Sequence, residues 1–362
     1  MSPKTRKTRV INEDESIYLG RGVYGCVFSP PIPCDDSQEK PGRRSEYSDN
    51  VGKIFNKRIH GDKEYESITD IISLVDPDHL FTNKLLHKCD INHSDYSKTT
   101  GFNNCPIQDD TIQLIYQTKG ISLDSFISRN ISLQSCNEIL KQMVPIATGL
   151  GSMSRKKVAH LDIKPPNIIL SEKRVNLIDF GLSKMFKDVY KKEENMFIFK
   201  HKYQYYPPEF TLRHFLFTRN DLIRAGSTID SSVVAECIEY VRAICLENYS
   251  NSGFGDIVEM IEFEKEISNG VKYFLKKISQ QKKQGSVSQT DVDNIFSKQI
   301  IKIDVFSFGM VLLDIHSRTK KTQKTNKLAG IREIIKKCIH MNPTRRIHPR
   351  TMAKQFKLLM NQ

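Results

Sequence analysis

The sequence predicts an α+β chain whose strands gather near the N-terminus and whose helices fill a larger remainder. Two observations carry this. β-branched and aromatic residues flank the glycine run Leu19-Gly20-Arg21-Gly22-Val23-Tyr24-Gly25-Cys26-Val27, which reads as two strands joined by a turn. Farther on, apolar residues recur at helical spacing, at Ile68, Ile71, Ile72 and Val75 and again at Val233, Cys237, Val241 and Ile244. At 362 residues the chain can carry two lobes or one large domain, and a hydrophobic content of 38% suits a globular fold.

The elements follow in order. Ser2-Pro3-Lys4-Thr5-Arg6-Lys7-Thr8-Arg9 is too charged for a secretory signal, and residues 1–16 read as a basic tail. A Rossmann turn would open a helix at the glycines, with an acidic residue about twenty positions on. Ser29-Pro30-Pro31-Ile32-Pro33 follows instead, so strand-turn-strand wins. Backbone without side chains at Gly20, Gly22 and Gly25 can close over phosphates. Cys34 to Asn50 is polar, with Pro41-Gly42-Arg43-Arg44, and reads as a surface loop or flexible excursion.

Val51-Gly52-Lys53-Ile54-Phe55 is a strand with one lysine among apolar residues, where a lone cation is poorly placed without a partner. The next helix offers Glu64 and Glu66. Glu64 shares a face with Ile68 and Ile71 and is preferred; Glu66, with Asp70 at the equivalent turn, remains open. Asp90 to Asp110 is a second insertion of low hydrophobicity, ahead of the strand Thr111-Ile112-Gln113-Leu114-Ile115-Tyr116.

The densest chemistry is His160-Leu161-Asp162-Ile163-Lys164-Pro165-Pro166-Asn167, followed twelve positions later by Asp179-Phe180-Gly181. Phosphoryl transfer needs a carboxylate to orient a hydroxyl, a cation near the transferred phosphate and oxygen ligands for Mg²⁺. Asp162, Lys164, Asn167 and Asp179 supply that set, and Val175-Asn176-Leu177-Ile178 reads as the strand that delivers Asp179.

These motifs resemble the catalytic and metal-binding loops of eukaryotic-type protein kinases, whose H-x-D-x-K-x-x-N and D-F-G patterns they match in order. Tyr205-Tyr206-Pro207-Pro208-Glu209 resembles the A-P-E segment that closes an activation loop. Asp304-Val305-Phe306-Ser307-Phe308-Gly309 resembles the D-x-W-S-x-G helix start. Asn342-Pro343-Thr344-Arg345-Arg346 resembles the late D-P-x-x-R, with Arg346 expected to pair with Glu209.

The resemblance runs from residue 17 to 355 and implies a bilobal protein-kinase fold. A small β-rich N-lobe would take residues 17–118, with polar insertions at 34–50 and 90–110; a larger helical C-lobe would take 119–362, with a helical insertion at 212–300. It also implies ATP-dependent phosphorylation of serine or threonine in protein substrates. Leu19, Gly20, Gly22, Gly25 and Val27 would surround ATP, and Lys53, fixed by Glu64, would hold its α and β phosphates. Asp162 would position the acceptor hydroxyl, Lys164 would stabilise charge on the γ phosphate, and Asn167 and Asp179 would ligate Mg²⁺ or Mn²⁺. Adenosine contacts would come from backbone at Leu114 to Gln117, with Val27 and Ile54 as apolar lining.

Two other classes compete: a pseudokinase scaffold, which usually lacks the strand lysine, catalytic aspartate or metal aspartate, and a small-molecule kinase of the aminoglycoside type, which should lack the later motifs. Gly22 to Cys34, Val51 to Phe55, Asp76-Pro77 and Tyr205 to Phe210 resemble most the kinases of nucleocytoplasmic large DNA viruses. That implies a viral protein of the host cytoplasm or the virion.

Two departures stand out. Glu209 and Asp304 are 95 positions apart, where most kinases have a short connection. The stripe from Val233 to Cys245 makes part of this insertion an amphipathic helix, and Ser279-Gln280-Gln281-Lys282-Lys283-Gln284-Gly285-Ser286 reads as a flexible linker. Leu161 stands where many kinases carry an arginine that binds a phosphate on the activation loop. Between Gly181 and Pro207 the only serine or threonine is Ser183. The loop is therefore expected to be ordered by packing of Met196, Phe197, Ile198 and Phe199, without a phosphate; the alternative is a phosphate on Tyr190 that pairs locally with Lys191 and Lys192.

Composition narrows the rest. Eight scattered cysteines read as reduced thiols of an intracellular compartment, and His87, Cys89, His93 and Cys105 fit no common zinc spacing. The net charge of +13 points to acidic partners, whether nucleic acid, anionic lipid or acidic substrates; a solvated lysine-rich surface accounts for it equally well. No apolar run reaches the roughly 18 residues of a membrane span.

Overall fold

A computed structural model describes residues 16–22, 24–35, 47, 49–91, 93–97, 99, 101–105, 107, 110–117, 119–128, 131–171, 174–190, 203–222, 229–249, 258, 260–282, 288–319 and 326–362. The basic tail up to residue 15 and the segment containing Met196, Phe197, Ile198 and Phe199 lie outside them. The chain divides into two compact units, Met1–Asp70 with Asn83–Gly120, and Ile71–Thr82 with Ile121–Gln362. The first is rich in strand and the second is mainly helical, a mixed α+β architecture.

Five strands build the first unit: β1 (Ile17–Arg21), β2 (Gly25–Ser29), β3 (Val51–Phe55), β4 (Leu85–Asp90) and β5 (Ile112–Tyr116). They form one antiparallel sheet in the order β1-β2-β3-β5-β4. Because side chains alternate across a pleat, the register assigns its two faces. Lys53 lies opposite Val27 on one side and Leu114 on the other, so these three share a face. Cys26, Ile54 and Gln113 pair in the same way and share the opposite face.

Ile54 therefore does not line the surface that Lys53 points to, and the expectation that it does is corrected. It is buried in a cluster with Cys26, Phe28, Ile32, Ile91, Tyr96 and Cys105. The second insertion makes that burial possible, since Ile91, Tyr96 and Cys105 all come from it. Tyr96 meets Phe28 and Phe102 edge to face, with ring centroids 5.9 and 6.1 Å apart. The Gln113 side chain accepts from the Ile32 N–H at 3.1 Å and donates to its carbonyl at 2.5 Å, pinning the segment after β2 to the sheet.

Disulfides Cys26–Cys105 and Cys34–Cys89 fasten the same layer. The expectation of eight reduced thiols is thus corrected for four of them; Cys136, Cys237, Cys245 and Cys338 are free and buried. The paired cysteines are 79 and 55 residues apart, brought together by topology and not by any local spacing. His87 lies beside Cys34 and Cys89, whose sulfurs are committed to each other.

Helix α1 (Arg58–Val75) buries Ile68, Ile72 and Val75 and ends at Asp76. Asp76 is itself buried and accepts from the backbone N–H groups of Leu80, Phe81 and Thr82 at 2.8–3.0 Å and from the Thr82 hydroxyl at 2.8 Å. In the second insertion, α2 (His93–Tyr96) is a single turn.

Among the described residues the second unit holds five short strands: β6 (Ile121–Ser122), β7 (Val158–Ala159), β8 (Ile168–Leu170), β9 (Val175–Leu177) and β10 (Lys184–Met185). They form a three-stranded sheet, β6-β8-β9, and a two-stranded one, β10-β7. Around them run α3 (Leu123–Ile127), α4 (Leu133–Gln142), α5 (Val144–Arg155), α6 (Pro208–Thr218), α7 (Ser231–Tyr249), α8 (Met260–Lys282), α9 (Gln289–Ser297), α10 (Ile303–Ser317), α11 (Asn326–Cys338) and α12 (Pro349–Met360). Nearly every residue of α10 is buried, so it forms the core of the unit. Among the described residues no helix is long and apolar enough to cross a membrane.

The long insertion contributes α7, α8 and α9. Cys237, Val241, Cys245 and Tyr249 form the buried stripe of α7. In α8 the stripe is Phe263, Ile267, Val271, Phe274, Leu275 and Ile278. Helix α8 runs on through Ser279 to Lys282, which corrects the expectation of a flexible linker there; residues 283–287 lie outside the described ones. A capping box, Ser288 with Asp291, starts α9.

The disulfides give a direct test. Thiol titration of the denatured, unreduced protein should count the four free cysteines, and eight only after reduction. Eight before reduction would remove both bridges.

Candidate active site

In the first unit the glycine turn is a hairpin between β1 and β2, closed by the Gly22 N–H donating to the Gly25 carbonyl at 2.8 Å. A Cβ on Gly25 would run into the Ile54 carbonyl, so only glycine lets these strands approach. At Gly20 a Cβ would meet nothing within 4 Å. Leu19 is half exposed at the bulge between Tyr18 and Gly20.

Lys53 and Glu64 form an ion pair, Nζ to Oε2 2.5 Å, with Glu64 buried. Glu64 Oε1 also accepts from the Tyr116 hydroxyl at 2.9 Å. Sequence reasoning missed Tyr116, the last residue of β5. Its signal was a hydroxyl-bearing ring on the strand beside Lys53. The ion pair of Lys53 is thus made by Glu64 and not by Glu66.

In the second unit four site residues converge. Asn167 is buried and its Nδ2 donates both to the Asp162 carbonyl at 2.9 Å and to Asp162 Oδ2 at 2.8 Å. Lys164 Nζ lies 2.9 Å from the same Oδ2. The Asn167 backbone carbonyl in turn accepts from the Ile178 N–H at 2.9 Å, coupling the His160–Asn167 stretch to the strand that precedes Asp179. That strand is fixed at its other edge, where Leu177 N–H donates to the Phe81 carbonyl at 2.8 Å. Asp179 adopts a left-handed conformation, φ 63°, and opens the 3₁₀ turn Phe180–Leu182.

Behind these residues, the Asp304 carboxylate accepts from the backbone N–H groups of His160 at 2.7 Å and Leu161 at 3.0 Å. Leu161 is buried with φ 66°, a strained conformation for leucine that the two bonds hold in place. Burial pushes Asp304 up to about 6, against the pull of those N–H groups. His160 is buried with its ring 4.5 Å from Phe180, and burial pushes it down to about 4 against the attraction of Asp179.

The Tyr203–Tyr206 stretch packs beside Lys164, whose Nζ sits 5.8 Å from the Tyr203 ring centroid. Tyr205 donates to Asp314 at 2.5 Å, and Ser307 donates to the Tyr205 carbonyl at 2.8 Å. Glu209 and Arg346 form the expected two-pronged pair, at 2.6 and 3.0 Å, almost wholly out of water.

The electrostatics of Asp162 follow. Burial raises its pKa, and the Lys164 cation opposes that rise. A carboxylate that must be ionised to accept a hydroxyl proton loses activity as pH falls through its pKa. In Lys164→Met the opposing cation is gone, so the acid limb of the residual kcat/KM profile should move to higher pH. A limb that stays in place would show that Lys164 does not set the protonation of Asp162.

The family model described as protein kinase domain matches residues 84–358, well over half of the chain. No curated protein matches the chain.

Proposed function

We propose that this chain, which belongs to the protein kinase family, transfers the γ phosphoryl group of ATP to serine or threonine hydroxyls of protein substrates. The observation that carries the reading is the Asp162 cluster: one buried carboxylate aligned by Asn167 and neutralised by Lys164. Asp162 orients the acceptor hydroxyl and takes up its proton; Lys164 stabilises charge on the γ phosphate. Lysine two residues after the aspartate also favours serine and threonine over tyrosine, by the resemblance drawn above.

In the first unit, Lys53 binds the α and β phosphates, and the bonds from Lys53 and Tyr116 keep Glu64 oriented. Val27 and Leu114, on the face of Lys53, are the apolar residues that suit an adenosine.

The donor set in the second unit fits a hard divalent cation. Asn167 spends its amide nitrogen on Asp162, which leaves its carbonyl oxygen, and Asp179 adds a carboxylate. Bound there, Mg²⁺ or Mn²⁺ would neutralise phosphate charge. Lys53, Asp162 and Asp179 are all present, which weighs against a pseudokinase. The motif likeness to kinases of large DNA viruses extends the proposal to a viral origin.

The test is incubation with Mg-ATP and generic acidic and basic proteins, followed by phosphoamino-acid analysis. Asp162→Asn and Asp179→Asn should each lower transfer by about 10²–10⁴ while leaving the thermal midpoint near wild type. A folded double variant with wild-type turnover would overturn the assignment, and phosphotyrosine alone would overturn the specificity.

A further inference from the structure

Of the inserted helices, α7 contacts the activation segment at its later described end, and α9 reaches the earlier end through Arg213 of α6. At the later end, Tyr249, the last residue of α7, is buried and its hydroxyl donates to the Tyr206 carbonyl at 2.8 Å. Tyr206 packs against Tyr203 and Phe210 with ring centroids 5.1 and 5.4 Å apart, and Tyr203 lies under Lys164. At the earlier end, the Tyr190 ring lies 4.4 Å from the Arg213 guanidinium carbon. Arg213 is buried and bonded to Asp293 of α9, Nε to Oδ1 2.9 Å and Nη2 to Oδ1 2.8 Å.

The described helices of the insertion pack on one another and on the core, as a brace requires. Its helices are joined to each other by Tyr249 on Phe263, centroids 6.4 Å apart, and by the parallel rings of Phe274 and Phe296, 4.2 Å apart. It is also tied to the core. Glu266 of α8 is buried, with one oxygen 2.5 Å from His340 Nε2 and the other accepting from the Met341 N–H at 3.2 Å. Gly270 brings α8 close to the same turn, since a Cβ there would lie 3.4 Å from the Met341 carbonyl oxygen.

The segment itself offers a phosphate little access. Its hydroxyl-bearing residues are Ser183, Tyr190, Tyr203, Tyr205 and Tyr206, all buried or half-buried. Ser183 donates to the His160 carbonyl at 3.4 Å. Leu161, buried and apolar, offers a phosphate neither the charge nor the donors that an arginine at its position would supply.

We propose that the inserted helices hold the acceptor-binding segment in its working position in place of a loop phosphate, with Tyr249, Arg213 and Asp293 as positioning residues. Acceptor affinity then depends on the insertion and not on phosphorylation of the segment. The proposal rests on the kinase reading for its activity readout only.

The test uses full-length protein whose unmodified mass is confirmed, with Tyr249→Phe and Asp293→Asn. Tyr249→Phe removes one oxygen and keeps the ring, so the loss of one hydrogen bond should raise acceptor KM about fivefold. The KM for ATP, kcat and the thermal midpoint should stay near wild type. Amide hydrogen exchange should rise in peptides spanning 203–210 for Tyr249→Phe and 184–190 for Asp293→Asn. If wild type phosphorylates no acceptor, the kinase reading falls, and the exchange data still decide on the brace. Unchanged protection in both variants overturns it. So does a lag in wild-type activity that preincubation with ATP abolishes.

Discussion

The stretch from His160 to Asn167 depends on one buried carboxylate. Asp304 opens α10, the most buried helix of its unit, and its two oxygens take the N–H groups of His160 and Leu161. Left-handed backbone at a leucine costs on the order of 1–2 kcal/mol. Hydrogen bonds to a charged group contribute about 1.5–3 kcal/mol each, enough to offset it. The turn at Leu161 aims Asp162, Asp162 engages Asn167, and Asn167 takes the Ile178 N–H ahead of Asp179. A fault in the Asp304 contact would pass through each of these bonds in turn.

A second buried pair organises the other side of the unit. Glu209 and Arg346 satisfy each other with two bonds and lie almost wholly out of water. Such a pair is weak evidence for net stability, yet losing either partner strands a charge. Helices α7 and α8 pack around this pair: Val241, Ile267, Gly270 and Val271 line the same small cavity as Glu209. The insertion is therefore part of the core, which is why its apolar stripes find partners.

Legibility in the sequence followed how local each interaction is. The Asp162, Asn167 and Asp179 chemistry sits within twenty residues, so its spacing could be read directly from the chain. Glu64 was separable from Glu66 because a helix face repeats every three to four residues. The pairing of Cys26 with Cys105 was not legible, because 79 residues separate them and only the folded insertion closes the gap. The face of Ile54 was hidden for a related reason. Alternation places Ile54 opposite Lys53, but both faces of β3 carry buried residues once the insertion covers one of them. Helix α8 was readable from Phe263, Ile267, Val271, Phe274 and Ile278; the polar end from Ser279 to Lys282 disguised its last turn as a linker.

Charge is settled within each unit before any ligand arrives. Glu64 meets its cation and its hydroxyl from residues of its own unit, so Lys53 is ordered without a nucleotide. In the second unit His160, pushed down to about 4, stays neutral at physiological pH. That leaves Lys164 as the cation in contact with Asp162. Burial and the charge of Asp179 raise Asp162, and Lys164 and Asn167 oppose the rise.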